Sequence, residues 1–313
     1  MLKHRLLMSA LLIPATIGSF VWDHQLGNRA PVLFVLVLLL SARCVWELVT
    51  LFRAAGYRPQ SALMLSGNWL MIAATWWPHL LSHQWPLRLF DEPMAYLAGA
   101  WGAVVVAMLL NAVLRYPSLE RVNEASAVAP RAGTHIATLG LELFAVTYIG
   151  GLLALTCQLR WTNYASDWLF NVGYFPLSAL VVATKMGDVG AYTFGRLIGG
   201  PKMTPKLSPG KTMSGGVGHL LTAGLCSIVW LTWLGPQVGP HWQAWRVVPA
   251  FVFGVVVGFA GLIGDLAESL IKRDVGVKDA PALLPGFGGL LDLMDSLLLA
   301  GPVALGLWPL LRP

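Results

Sequence analysis

An all-α polytopic transmembrane helix bundle is the fold class that this 313-residue sequence predicts, and three observations predict it. Hydrophobic residues make up 56% of the chain and charged residues only 12%, whereas an ordinary soluble domain carries about 25% charged residues. Mean hydropathy is +0.66. There are 14 tryptophans, whose amphipathic rings suit membrane interfaces. The apolar residues also come in runs, and a spanning helix needs about 20 of them.

About nine such runs can be placed, with approximate bounds 6–22, 31–52, 61–81, 94–114, 134–157, 168–186, 217–235, 247–271 and 289–310. The first follows Lys3-His4-Arg5 as a signal peptide's apolar middle would, but no small-residue cleavage site precedes Asp23, so an anchoring helix is expected. Pro176 interrupts the sixth run and Lys185 closes it. Arg43 and Glu47, four apart in the second, read as a buried structural ion pair.

Loop lysines and arginines set the orientation. An N-terminus on the cytoplasmic side leaves only Arg29, Arg88, Arg160, Arg246 and Arg312 on the opposite face. The same choice puts residues 187–216 and 272–288 in the cytoplasm. The formal charge of +6 is thus a membrane-topology signal, and no nucleic-acid partner is expected. Cys44, Cys157 and Cys226 are odd in number and scattered, so no disulfide framework follows. A polar connection over residues 115–133 divides an N-terminal bundle, 1–133, from a C-terminal region, 134–313, within one membrane domain.

That C-terminal region carries the chemistry. The segment from Gly187-Asp188-Val189-Gly190-Ala191-Tyr192 through Arg196 to Ser208-Pro209-Gly210-Lys211-Thr212-Met213-Ser214 is rich in glycine, lysine and hydroxyl groups. Closely spaced glycines let backbone amides approach an anion, Lys206 and Lys211 supply point charges, and Ser208, Thr212 and Ser214 supply donors. A polyphosphate needs this set. The spacing of a P-loop is absent.

Downstream, Asp265 lies inside the end of an apolar helix, and Asp265, Ser269 and Lys272 fall along one helical stripe. Glu268 is placed to pair with Lys272. Asp292 and Asp295, three apart at the start of the last helix, project from one face; the bland reading, an acid complementing the helix dipole, fits one of the two. A charge at bilayer depth costs at least a few kcal/mol unless paired, hydrated or metal-bound. Three acids converging from two helix ends suit a hard divalent cation, magnesium above all, held jointly by carboxylates and substrate phosphates.

These residues resemble the phosphatidate cytidylyltransferases, also called CDP-diacylglycerol synthases. Ser269, Lys272, Arg273, Lys278, Asp279, Pro285, Gly286, Gly288, Gly289, Asp292 and Asp295 match that family's C-terminal signature, and Gly187-Asp188-x-Gly190-Ala191-Tyr192 and Ser208-Pro209-x-Lys211-Thr212 match its upstream segments. Two positions depart: Phe287 stands where histidine is usual and Leu293 where arginine is usual. A catalytically altered paralogue is therefore the rival reading within the family. The retained acids and lysines favour activity.

The resemblance implies a magnesium-dependent nucleotidyltransferase in which phosphatidic acid attacks the α-phosphorus of CTP, giving CDP-diacylglycerol and pyrophosphate at the cytoplasmic face of a bacterial inner membrane. It implies metal binding by Asp265, Asp292 and Asp295, a catalytic role for these with Lys211, and nucleotide phosphate on Lys206 and Lys211. Arg196, Lys272 and Arg273 would meet either anionic substrate, with Asp188, Ser208, Thr212, Ser269 and Lys278 as further contacts. A second cation and a homodimer are also implied. A cytidylyltransferase acting on another lipid phosphate, or a CTP-dependent lipid kinase, is the enzymatic alternative, and an ion-coupled transporter the non-enzymatic one.

Overall fold

A computed structural model describes residues 14–15, 17–27, 29–80, 93–125, 133–162, 174–239, 242–277 and 288–313, with side chains of 117–125 excepted. Helices dominate it. In chain order they are α1 (Pro31–Ala54), α2 (Ser61–Leu80), α3 (Pro93–Ala125), α4 (Thr134–Trp161), α5 (Tyr174–Leu197), α6 (Met213–Val238), α7 (Val247–Asp274) and α8 (Leu290–Leu311). Residues 17–25 are also helical. The all-α class is therefore correct, and each expected run after the first overlaps one of these helices, the sixth from Tyr174 onward because residues 168–173 lie outside the described ones. Among the described residues, α1, the Pro93–Tyr116 part of α3, α4, α6, α7 and α8 are long and apolar enough to cross a membrane.

Two helices change pitch inside the apolar region. Val146–Gly151 of α4 and Val229–Leu234 of α6 are π-helical, a widening that re-aims the following turn. Both leave the helix unbroken.

The chain gathers into two compact units, Phe34–Ala154 and Met1–Leu33 with Leu155–Pro313. In the first, α1 and α2 bury Leu48, Phe52, Met71, Ile72 and Trp76. Arg43 pairs with the fully buried Glu47 at 3.1 Å and lies over the Trp46 ring. Glu142 of α4 accepts from the Gln60 amide at 2.7 Å. One orphan donor at the start of α2 is thereby satisfied.

In the second unit, Phe175, Trp245, Phe253 and Trp308 form an aromatic core, with Trp245 and Trp308 ring centroids 4.7 Å apart. Asp23, fully buried, accepts from the Val32 and Leu33 amides and from the Tyr174 hydroxyl. It caps the first turn of α1 as a short acid does best.

Two helix crossings position the polar end of this unit. The helix α5 continues through Gly187, Gly190 and Gly195 to Leu197, so the polar connection before α6 is shorter than the 187–216 loop expected. Those glycines are contact residues between α5 and α6. A Cβ on Gly190 would strike Thr222 and the Gly218 carbonyl, and one on Gly218 would strike Phe194 at 2.5 Å. Small residues allow such close backbone approach where lipid offers no hydrophobic drive to association. A cradle of glycine amides around an anion is therefore not what Gly187, Gly190 and Gly195 build.

Beyond Leu197 a short hairpin pairs β1 (Lys202–Thr204) with β2 (Ser208–Thr212), antiparallel. It feeds directly into α6, whose N-cap is Thr212, accepting from the Gly215 amide at 3.1 Å. The second crossing joins α7 to α8: Gly264 faces the backbone carbonyl of Asp295, and Gly261 faces Ser296.

The crossing yields a stability prediction. Gly264→Ala puts a methyl group into the α8 backbone, and overpacking of this kind costs about 1–3 kcal/mol. Gly306→Ala, with nothing near its Cβ, should be neutral or stabilising, because glycine is disfavoured within a helix. Thermal unfolding of detergent-solubilised protein should separate the two, with a lower Tm for Gly264→Ala alone; equal Tm values would contradict the close crossing.

Candidate active site

Where α5, α6 and α7 meet the hairpin, a cavity of about 420 Å³ opens, lined by Asp188, Tyr192, Arg196, Lys211, Thr212, His219 and Asp265 among others. Its walls follow from the α5–α6 crossing. Glycines at the contact let the helices approach, so Asp188 of α5 and His219 of α6 face each other 3.7 Å apart. Lys211, at the end of β2, reaches back to α7. Its Nζ lies 2.7 Å from Asp265 Oδ2, close enough for a strong ion pair although the angle does not make a hydrogen bond.

The acids fall into two groups. Asp295, 5% exposed, lies within electrostatic reach of Asp265 and Asp188, with Lys185 opposing them. Lys185 approaches Asp188 Oδ2 at 3.6 Å and donates to the Leu293 carbonyl at 3.0 Å and to Ser296 Oγ at 2.9 Å. It ties α5 to the first turn of α8. Asp295 itself accepts from the Ser296 amide.

The second group is Glu268, Lys272 and Asp292. Lys272 Nζ is 2.6 Å from both Glu268 Oε2 and Asp292 Oδ1, so the expected Glu268–Lys272 pair is present and a second acid joins it. Asp292 Oδ2 also accepts from the Gly289 amide at 3.0 Å, the backward reach of an N3 acid at a helix start. Asp292 is thus held by a lysine and a backbone amide, the structural role foreseen for one of the two acids of α8.

Of the residues singled out in the sequence, Asp188, Arg196, Lys211, Thr212 and Asp265 line the cavity, and Asp295 lies behind them. Arg196 is exposed, its guanidinium donating to the Tyr192 hydroxyl at 2.6 Å. Ser269 is half-buried on α7, four residues beyond Asp265. Lys206 is exposed in the hairpin turn and, like Ser208, is not among the lining residues. Arg273 donates to the Leu207 carbonyl at 3.3 Å and braces that hairpin. Thr212 caps α6, so its hydroxyl is engaged by the protein. Lys278 and Phe287 lie outside the described residues.

Sequence reasoning missed Lys185 and His219. Lys185, three residues before Asp188, had a helical-pair signal. His219 had none, since its partners come from other helices.

Among the described residues, no three or more His, Cys, Asp or Glu side chains form a ready metal-holding cluster. The donor set nevertheless fits a hard cation completed by substrate: Asp265 and Asp295 are oxygen donors under mutual repulsion, and magnesium commonly takes one or two carboxylates plus phosphates and waters.

The model of the cytidylyltransferase family matches residues 3–310. YnbB, an uncharacterized protein of Escherichia coli, is 40% identical over 124 residues, which cover 40% of this chain and 39% of YnbB. The phosphatidate cytidylyltransferase of Mycobacterium bovis is 30% identical over 266 residues, covering 84% of this chain and 74% of that enzyme. That of Synechocystis is 29% identical over 301 residues, covering 89% of this chain and 87% of that enzyme.

The Lys272 cluster is testable apart from any chemistry. Lys272→Met leaves Glu268, 2% exposed, and Asp292 facing each other uncompensated, and breaking a buried pair from one side costs roughly 3–5 kcal/mol. Combining it with Glu268→Gln should recover much of that loss. Chemical denaturation of the purified variants in detergent would show the recovery, and equal loss in single and double variants would refute the coupling.

Proposed function

The chain belongs to the cytidylyltransferase family, and from that premise we propose that it transfers a cytidylyl group from CTP to phosphatidic acid, releasing pyrophosphate and forming CDP-diacylglycerol for phospholipid synthesis. The observation that carries the reading is the Asp188, Lys211, Asp265 and Asp295 constellation around one cavity at a polar end of apolar helices. It is an integral membrane protein, with helices long enough to span and membrane enzymes as relatives. The lipid acceptor reaches such a site laterally from the bilayer while the nucleotide enters from water. Placing that polar end, with the N-terminus, on the cytoplasmic face of a bacterial inner membrane is part of the proposal, as is a homodimer.

An oxygen of the phosphatidate monoester attacks the α-phosphorus, the bond to the bridging oxygen of the β-phosphate breaks, and pyrophosphate leaves with that electron pair. No general base is required, because a phosphate monoester with a second pKa of about 6 is already largely ionised near neutral pH. Catalysis rests on positioning and charge neutralisation. Lys211 supplies positive charge beside the reacting phosphates, Arg196 at the exposed rim guides an anionic substrate inward, and Lys185 fixes the first turn of α8 and hence Asp295. Magnesium fits Asp265 and Asp295, and when bound it would neutralise the triphosphate and its leaving group. Asp292, expected at the metal both from its spacing and from the resemblance, is better placed to hold Lys272 and the start of α8.

The test is direct. Purified protein in mixed micelles with phosphatidic acid, CTP and magnesium should form a lipid that co-migrates with CDP-diacylglycerol on thin-layer plates, and chelation should stop it. Asp295→Asn should lower turnover at least 100-fold while leaving the elution profile in detergent unchanged. Near wild-type turnover in that variant would sink the carboxylate assignment.

A further inference from the structure

His219 is a cavity-lining, titratable side chain to which the transfer chemistry gives no role. It is 1% exposed, on the second turn of α6. Its ring sits in a slot made by two glycines: a Cβ on Gly187 would lie 2.6 Å from Nε2, and one on Gly258 would lie 3.6 Å from it. The ring orientation is fixed by that slot. Nε2 stands 2.9 Å from the Gly258 carbonyl oxygen, which only accepts, so this nitrogen carries the hydrogen. In the neutral ring Nδ1 is then a bare acceptor. It is buried, has no hydrogen-bond partner, and faces Asp188 Oδ1 across 3.7 Å.

Two acceptors facing one another on a cavity wall demand a donor. The nearby cations are engaged elsewhere: Lys211 pairs with Asp265, and Lys185 approaches the other oxygen of Asp188 while holding α8. Buried polar groups left unpaired cost about 1–3 kcal/mol, so a ligand that supplies the hydrogen gains affinity. A phosphate dianion has only acceptors and is disfavoured here. The polar hydrogens of a nucleotide lie on its nucleoside part, in the ribose hydroxyls and, for cytidine, the exocyclic amino group.

We propose that His219 Nδ1, together with Asp188, accepts a hydrogen bond from the nucleoside part of the nucleotide substrate, making His219 a specificity-determining residue. This rests on the nucleotidyl-transfer reading above. The arrangement divides the cavity by function: Lys211 and exposed Arg196 present positive charge to phosphates, and the deep His219 wall presents lone pairs to sugar or base. A site built to bond a substrate OH or NH rejects the analogue lacking it far more strongly than an apolar pocket rejects a missing methylene.

Steady-state kinetics with CTP, 2′-deoxy-CTP and UTP test it. Wild-type protein should prefer CTP over one analogue by tenfold or more in kcat/KM, 2′-deoxy-CTP if a ribose hydroxyl is read and UTP if the amino group is read. His219→Leu, which fills the slot without an acceptor, should raise the KM for CTP at least tenfold with a smaller change in kcat and erase that preference. His219→Asn, whose amide oxygen can stand near the Nδ1 position, should restore it in part. Equal use of all three nucleotides by wild-type protein overturns the proposal without any variant, as does an unchanged preference in folded His219→Leu. Absence of any transfer by the wild type would instead defeat the reading on which it rests.

Discussion

Close helix crossing at glycine is the constraint on which the site depends. Charged side chains at the margin of a bilayer are affordable only when paired or hydrated, and pairing between elements at 2.6–3.7 Å is favoured where their helices approach closely. Gly190 and Gly218 give that approach between α5 and α6, and Gly264 gives it between α7 and α8. Larger residues there would push the helices apart, and Asp188, Asp265 and Asp295 would no longer share one field.

The two acid groups then divide the work. Glu268, Lys272 and Asp292 close on themselves, with the lysine satisfied by two carboxylates and Asp292 also holding the Gly289 amide. That group fixes the end of α7 against the start of α8. Asp188, Asp265 and Asp295 remain under mutual repulsion, opposed by Lys185 and Lys211. Lys185 links the groups by bonding Leu293 and Ser296 of α8.

Apolar run length made the helices legible in the sequence, because a bilayer forces backbone satisfaction within each segment. Asp265 was legible as a costly charge inside an apolar run, and Lys211 and Arg196 as cations of a glycine-rich polar segment. What pattern alone could not separate is two uses of glycine: Gly187, Gly190 and Gly195 read as an anion cradle in the sequence, whereas the neighbouring helix makes them a packing seam. The same holds for Asp292 and Asp295, one turn apart on one helix yet with different neighbours. His219 was invisible for a related reason. Its meaning lies in Gly187 and Gly258, which come from two other helices.

The central claim is that this cavity directs attack at the α-phosphorus of CTP. Parallel reactions with CTP labelled at the α- or the γ-phosphate, using purified protein and phosphatidic acid, test it most directly. The account predicts α-label in the lipid product and γ-label only in released pyrophosphate. Label from the γ-position in lipid, with none from the α-position, would contradict it and identify a phosphoryl transferase.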